Sequence, residues 1–390
     1  MSPKEIVGNK KTSRAGIIGA VAGLAAAGIA AGVATERYLI KRARSDPNDP
    51  YAEEPFANLH ADDIRTITTA DGIDVHVETV DSRGVGEAEA TAVFVHGFCL
   101  DMGTFHFQRR ALTESTMPLR AVYYDQPGHG QSGELPLPEY DIESLAEALY
   151  AVLAKAVPTG PVFLVGHSMG GMTILAFARR YPELFASRVR GVALLSTTAG
   201  GLDKVSFGAP KALARARKVF LPALSKAIAL TPGVIDGARR VASDLAWRLT
   251  RRYGFATRKP SPSLVSYVEK MNTATPIKTV IGFSKALLEH DEHDVLPQLA
   301  SIPVFISCGD SDQFTPPEHS VALAEALPHA KLNIVPEAGH VALLEKPELV
   351  TDPLFAHLSE CLDALERDRQ PAEPVKRRKP WLRKKKRTGD

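Results

Sequence analysis

Gly166-His167-Ser168-Met169-Gly170 follows the apolar run Val162 to Val165 and precedes a helical pattern that begins near Met172. The spacing predicts a strand, a sharp turn carrying Ser168 and then a helix, the arrangement of a nucleophile elbow. Such a turn strains the serine backbone and tolerates only small neighbours, which Gly166, Gly170 and Gly171 supply. It leaves Oγ beside a helix N-terminus, whose first N–H groups lack intrahelical acceptors and can stabilise an oxyanion. Gly-x-Ser-x-Gly is a weak signal alone, so the rest of the chain must supply the partners of an activated serine.

Those partners are a base within hydrogen-bond reach and a carboxylate that fixes the tautomer of the base. Val304 to Cys308 reads as a buried strand that ends in Gly309-Asp310-Ser311-Asp312 and then Thr315-Pro316-Pro317, a loop carrying acids. Lys331 to Val335 reads as the next strand, and Pro336-Glu337-Ala338-Gly339-His340 projects an imidazole from the same sheet edge. Upstream, Ala92 to Val95 leads into His96-Gly97-Phe98, a loop whose N–H groups can complete an oxyanion hole. Phe98 and Met169 are the expected backbone donors. Val122-Tyr123-Tyr124 then runs into Asp125-Gln126-Pro127-Gly128-His129-Gly130-Gln131-Ser132.

Together the His-Gly-Phe loop, Asp-x-x-Gly-His-Gly-x-Ser, the Gly-His-Ser-Met-Gly elbow, Gly-x-x-Asp and Gly-His resemble the α/β-hydrolase superfamily over roughly residues 60 to 365. The chain is similar to the serine-nucleophile, esterase- or lipase-like branch with an inserted cap. The resemblance implies a mostly parallel sheet with flanking helices and a triad in the order Ser168, Asp312, His340. Asp310 is the competing acid, but the family pattern puts the acid at the fourth position of Gly-x-x-Asp. His96 and His129 are expected to hold loop backbones, and His167 to shape the pocket. A serine argues for acyl transfer, since epoxide hydrolases and haloalkane dehalogenases of this fold attack with an aspartate. No cofactor and no metal are expected, because the imidazole handles the proton and backbone amides handle the charge. The run His290, Asp291, Glu292, His293, Asp294 has metal-ligand residue types but reads as an exposed polar connection.

The 390 residues, 44% hydrophobic, suffice for a substantial core with two distinct ends. Thr66 to Thr69 and Ile73 to Val80 alternate around Asp71-Gly72 and predict a leading hairpin. Helical stretches such as Ile142 to Lys155 and Glu318 to Ala326 alternate with the apolar runs, the pattern of an α/β sheet. The hydrolase core is assigned to residues 45–200 and 301–367. Residues 201–300 are too long for a simple connection and are expected to form a helical cap, with Leu213, Phe220, Leu224 and Ile228 on amphipathic helices.

Residues 15–34 contain only Ala, Gly, Ile, Val and Leu, enough for one membrane-spanning helix. Nine alanines and five glycines make the span marginal, and a cleaved signal peptide or a buried helix stays open. Arg37, Lys41, Arg42 and Arg44 follow at once, so residues 1–44 read as a basic-flanked anchor. Gly19/Gly23 and Gly28/Gly32 have the spacing of a close helix pair and make a homodimer conceivable. Basic residues on both sides leave orientation open, and three cysteines, too few for a disulfide scaffold, lean toward the cytoplasmic side.

Net charge is only +2, but it is segregated. Residues 201–260 hold thirteen Lys or Arg against three Asp, and Lys376 to Arg387 hold nine basic residues and no acid. The tail, residues 368–390, is expected to be disordered and, with anchor and cap, to face anionic lipid. No nucleic-acid recognition fold accompanies it, so nucleic acid is not expected as a partner. The leading expectation is a membrane-associated hydrolase acting on a small-molecule acyl ester. The alternatives are a hydrolase of another acyl or carbon–carbon bond, and a non-catalytic ligand-binding protein of the same fold.

Overall fold

A computed structural model describes residues 46–56, 58–82, 88–136, 139–205, 247–257 and 259–369. The apolar stretch 15–34, the cap positions Leu213, Phe220, Leu224 and Ile228, and the tail from 370 onward lie outside the described residues. Eight strands form one sheet: β1 Asp63–Thr68, β2 Asp74–Asp81, β3 Ala90–Val95, β4 Leu119–Tyr124, β5 Val162–His167, β6 Val189–Leu195, β7 Val304–Gly309 and β8 Lys331–Val335. Their order is β1-β2-β4-β3-β5-β6-β7-β8. The hairpin β1–β2 and the β2–β4 pair are antiparallel, and every later pair is parallel. The hairpin turns at Gly72, whose φ of 86° lies in the left-handed region that a side chain rarely adopts.

Central strands are buried on both faces because helices cover both, so they read as continuous apolar runs. Successive side chains alternate between two cores. Val93, Val95 and Leu164 join a cluster with Leu145 and Leu149 of α2 (Ile142–Ala156) and Ile174 and Phe177 of α3 (Met169–Arg180). Ala92, Phe94, Phe163 and Val165 join the opposite cluster with Leu112 of α1 (His106–Glu114) and Leu354 and Leu358 of the last helix, Pro347–Arg369. Each such large side chain withdrawn from water contributes about 1.5–3 kcal/mol. α2 starts where the Asp141 carboxylate accepts the Ser144 N–H at 2.7 Å, satisfying one of the orphan donors of its first turn.

Between β6 and β7 the described residues include a wide helical turn, Thr250–Gly254, and two helices, α4 Pro262–Ala274 and α5 Ile277–Glu289. α5 lies hard against the core. A Cβ at Gly282 would come within 2.3 Å of the Tyr140 ring, and one at Gly128 within 2.8 Å of Thr279. Among the described residues no helix is long and apolar enough to cross a membrane.

Candidate active site

Ser168 stands alone between β5 and α3 with φ 52° and ψ −119°, a conformation that costs of order 1–3 kcal/mol for a residue bearing a side chain. Close packing makes the flanking glycines obligatory. A Cβ at Gly170 would lie 1.9 Å from the Val95 carbonyl oxygen, and one at Gly166 would lie 2.6 Å from the Gly171 nitrogen. The turn is held by Ser168 N–H donating to the Leu195 carbonyl at 2.9 Å and by the Thr197 hydroxyl donating to the Ser168 carbonyl at 2.7 Å.

The loops after β7 and β8 bring an acid and a base to this turn. His340 Nδ1–H donates to Asp312 Oδ2 at 2.8 Å, and the Ser168 hydroxyl donates to His340 Nε2 at 2.9 Å. A carboxylate only accepts, so Asp312 fixes the tautomer that leaves the Nε2 lone pair facing Ser168. Asp312 is buried, whereas Asp310 is exposed and accepts from Ser311, so Asp312 is the acid that meets the imidazole. Burial pushes the Asp312 carboxyl up. The His340 imidazole and hydrogen bonds from His340, Phe314 and Thr315 outweigh this and hold it below the ordinary carboxylate value.

His96-Gly97-Phe98 packs against the elbow. A Cβ at Gly97 would sit 2.8 Å from His167 Nδ1 and 3.1 Å from Ser168 Cβ, so the loop reaches the serine only because residue 97 is glycine. His96 is fully buried, with Nδ1–H donating to the Gly97 carbonyl at 2.8 Å and Nε2 accepting the Gln126 N–H at 2.8 Å. The Gln126 amide donates to the His96 carbonyl at 2.7 Å and accepts from Thr173 of α3 at 2.9 Å. The chain segment that ends in Phe98 is thereby locked to the helix that begins at Met169. Met169 N–H, first in α3, has no intrahelical acceptor. His129 also serves a loop, donating from Nδ1 to the Pro127 carbonyl at 3.1 Å.

His167 does more than line the site. Its Nε2–H donates to the backbone carbonyl of His340 at 3.0 Å, and burial pushes its pKa down to about 3, so it stays neutral beside the base. Thr315, named above only as part of the acid-bearing loop, donates to the Ser196 carbonyl at 2.8 Å and lies 2.9 Å from Asp312 Oδ2. Its one signal was its place three residues after an Asp, where local side-chain to backbone turns form.

The polar run 290–294 is exposed as expected at Asp291, His293 and Asp294 and departs from that reading at two residues. His290 and Glu292 are buried, and Arg179 of α3 reaches Glu292 with both oxygens 2.8 Å from Nε. Asp291 pairs with His293 at 2.6 Å. No group of three His, Cys, Asp or Glu among the described residues could hold a metal ion. Cys99, Cys308 and Cys361 are free thiols, and burial pushes Cys99 up to about 12, well away from a reactive thiolate.

Comparison with known proteins agrees with this architecture. The alpha/beta hydrolase fold family model matches residues 93–347. The chain is 26% identical over 273 residues to the dihydrolipoyllysine-residue acetyltransferase component of an acetoin cleaving system from Pseudomonas putida, covering 70% of this chain but 64% of that protein, less than two thirds of its length. It is 24% identical over 290 residues to an sn-1-specific diacylglycerol lipase of Mus musculus, covering 70% of this chain and 83% of that one. Among solved structures, a thermophilic esterase from Thermogutta terrifontis superposes with TM-score 0.58 at 26% identity, over 77% of this chain and 99% of the esterase. With more than half of its length matched and hydrolases among its relatives and structural neighbours, the chain belongs to the alpha/beta hydrolase family of enzymes.

Proposed function

We propose that the protein is a serine hydrolase that cleaves an ester-like acyl bond through an acyl-enzyme. His340 takes the Ser168 proton, Oγ attacks the carbonyl carbon, and the Phe98 and Met169 N–H groups hold the oxyanion. His340 then protonates the departing alcohol, and a water activated by the same imidazole releases the acid. The observation that carries this reading is the imidazole bridging at 2.9 Å to a strained serine and at 2.8 Å to a buried carboxylate. Ser168→Ala is expected to lower hydrolysis of short p-nitrophenyl esters about a million-fold with an unchanged circular dichroism spectrum. Turnover retained in that variant refutes the assignment.

A lipophilic substrate near a membrane is the second part of the proposal. It is supported by Phe314, 38% exposed with its ring 5.0 Å from that of His340, and by the twenty-residue apolar stretch 15–34. The described chain starts on the side of the strands' carboxyl ends. Asp49 accepts from Ser261 at 2.5 Å, and Phe56 stacks on Tyr267 at 4.5 Å, both at α4. The last helix ends at the other edge, where Arg369 pairs with Glu89 just before β3. The apolar stretch 15–34 is proposed as the membrane-directing part. Sedimentation with anionic liposomes is expected to persist without residues 376–387 and to be lost without residues 1–44.

A further inference from the structure

Glu345 closes the short helix Ala342–Glu345, five residues beyond His340, and its carboxylate gathers donors from two separate parts of the chain. Oε1 accepts the Thr257 N–H at 2.8 Å and the Thr257 hydroxyl at 2.5 Å. Oε2 accepts the Gly339 N–H at 2.7 Å, and the Ala256 N–H is shared between both oxygens at 3.1 and 3.2 Å. Ala256 and Thr257 belong to the return of the β6–β7 insertion, just after the turn Thr250–Gly254. Gly339 immediately precedes the imidazole-bearing residue.

The other side of His340 is tied to the same return segment. Val341 N–H donates to the Gly254 carbonyl at 3.2 Å. A Cβ at Gly339 would lie 2.6 Å from that same oxygen and 2.9 Å from the Ala256 nitrogen, so the two stretches pack at a distance only glycine permits. Both amides that flank His340 are thus clamped to residues 254–257, one directly and one through the Glu345 carboxylate.

We propose that Glu345 is a positioning residue that couples the placement of the insertion's return segment to the placement of the His340 imidazole, making the seating of the insertion a condition for a competent base. The inference rests on the serine hydrolase reading above and deepens it. Neutralising the carboxylate replaces one acceptor oxygen by an NH₂ group that faces N–H donors. The Gly339–His340 backbone then loses its register against Ser168, and a misplacement of about 1 Å in such a site costs about 100-fold in rate.

The test uses the full chain and a short p-nitrophenyl ester. Glu345→Gln is expected to lower kcat about 10- to 100-fold while KM moves less than about threefold. It is also expected to displace the acidic limb of the kcat/KM pH profile, which reports the free enzyme's base. Thr257→Val, which removes one donor and leaves the carboxylate, is expected to shift both readouts in the same direction by a smaller factor, and it serves if Glu345→Gln does not fold. A variant that folds, melts at a lower temperature and keeps wild-type kcat and pH profile overturns the inference. Wild-type labelling of Ser168 by a serine-directed phosphonate separates the two ideas. If the wild type labels there and Glu345→Gln labels as fast, only the coupling fails. If the wild type does not label at Ser168, the hydrolase reading itself fails.

Discussion

The two edges of the sheet share the same strands and the same apolar interior, yet they are built differently. At the edge where parallel strands end, the backbone is strained and polar groups are buried. All four non-glycine residues with positive φ among the described residues follow strand ends: Cys99 after β3, Ser168 after β5, Ser196 after β6 and Glu337 after β8. His96, Asp125, His129, His167, Asp312 and His340 are buried there as well. At the edge where strands begin, Arg369 meets Glu89 in a pair about half exposed, and Arg188 and Arg190 donate to nearby backbone carbonyls. Strain of this kind costs of order 1–3 kcal/mol per residue and persists only where packing over-determines it, and its confinement to one edge supports the proposal that this is the working edge.

Changes at the two edges should therefore differ in kind as well as in size. Among changes that leave the serine in place, the largest effect is expected from Asp312→Asn, which keeps the side chain's shape but favours the wrong imidazole tautomer and should lower kcat about 10,000-fold while the melting temperature moves by only a few degrees. Equal loss of stability and activity would erase the distinction between the edges.

An intermediate effect concerns Asp125, which ties the two loops behind the site by accepting the Met102 N–H at 2.9 Å and the Gln131 N–H at 2.8 Å. Burial, and next the nearby Asp101, push its carboxyl up to about 7. With the folded value above the unfolded one, the native state binds more protons across that window, so this group's contribution to stability is full below about pH 4 and is lost as pH rises through about 7. The melting temperature of Asp125→Asn should fall less than that of the wild type between pH 5 and pH 8. Parallel melting curves across that range would remove the argument. The smallest effect belongs to the opposite edge: Arg369→Ala breaks an exposed pair worth at most about 1 kcal/mol and should leave kcat unchanged. A measurable loss of turnover there would break the comparison.

Much of the working edge could be read from residues in order, because its geometry is imposed locally. Gly166, Gly170 and Gly171 announce a turn with no room for side chains, and the acid and base each follow an apolar run that must be a strand. The hairpin around Asp71-Gly72 was readable for the same reason, alternation broken by a turn. What escaped were contacts between distant positions. Gln126 locks His96 and Thr173, Arg179 pairs with the buried Glu292, and Glu345 reaches Ala256 and Thr257, each across 30 or more residues with no periodicity to betray the pairing. Whether Asp310 or Asp312 meets the imidazole could be weighed from pattern alone, but burial and the hydrogen bonds from Phe314 and Thr315 are properties of the folded loop.

The central claim, that Ser168 is the nucleophile and His340 and Asp312 activate it, is most directly tested by incubating the wild-type chain with a serine-directed phosphonate and locating the adduct by peptide mass. The expected result is a single modification on the peptide containing Ser168, formed in the wild type and absent from Ser168→Ala. Esterase activity with no adduct at Ser168, or an adduct on another serine that accounts for all turnover, would contradict it.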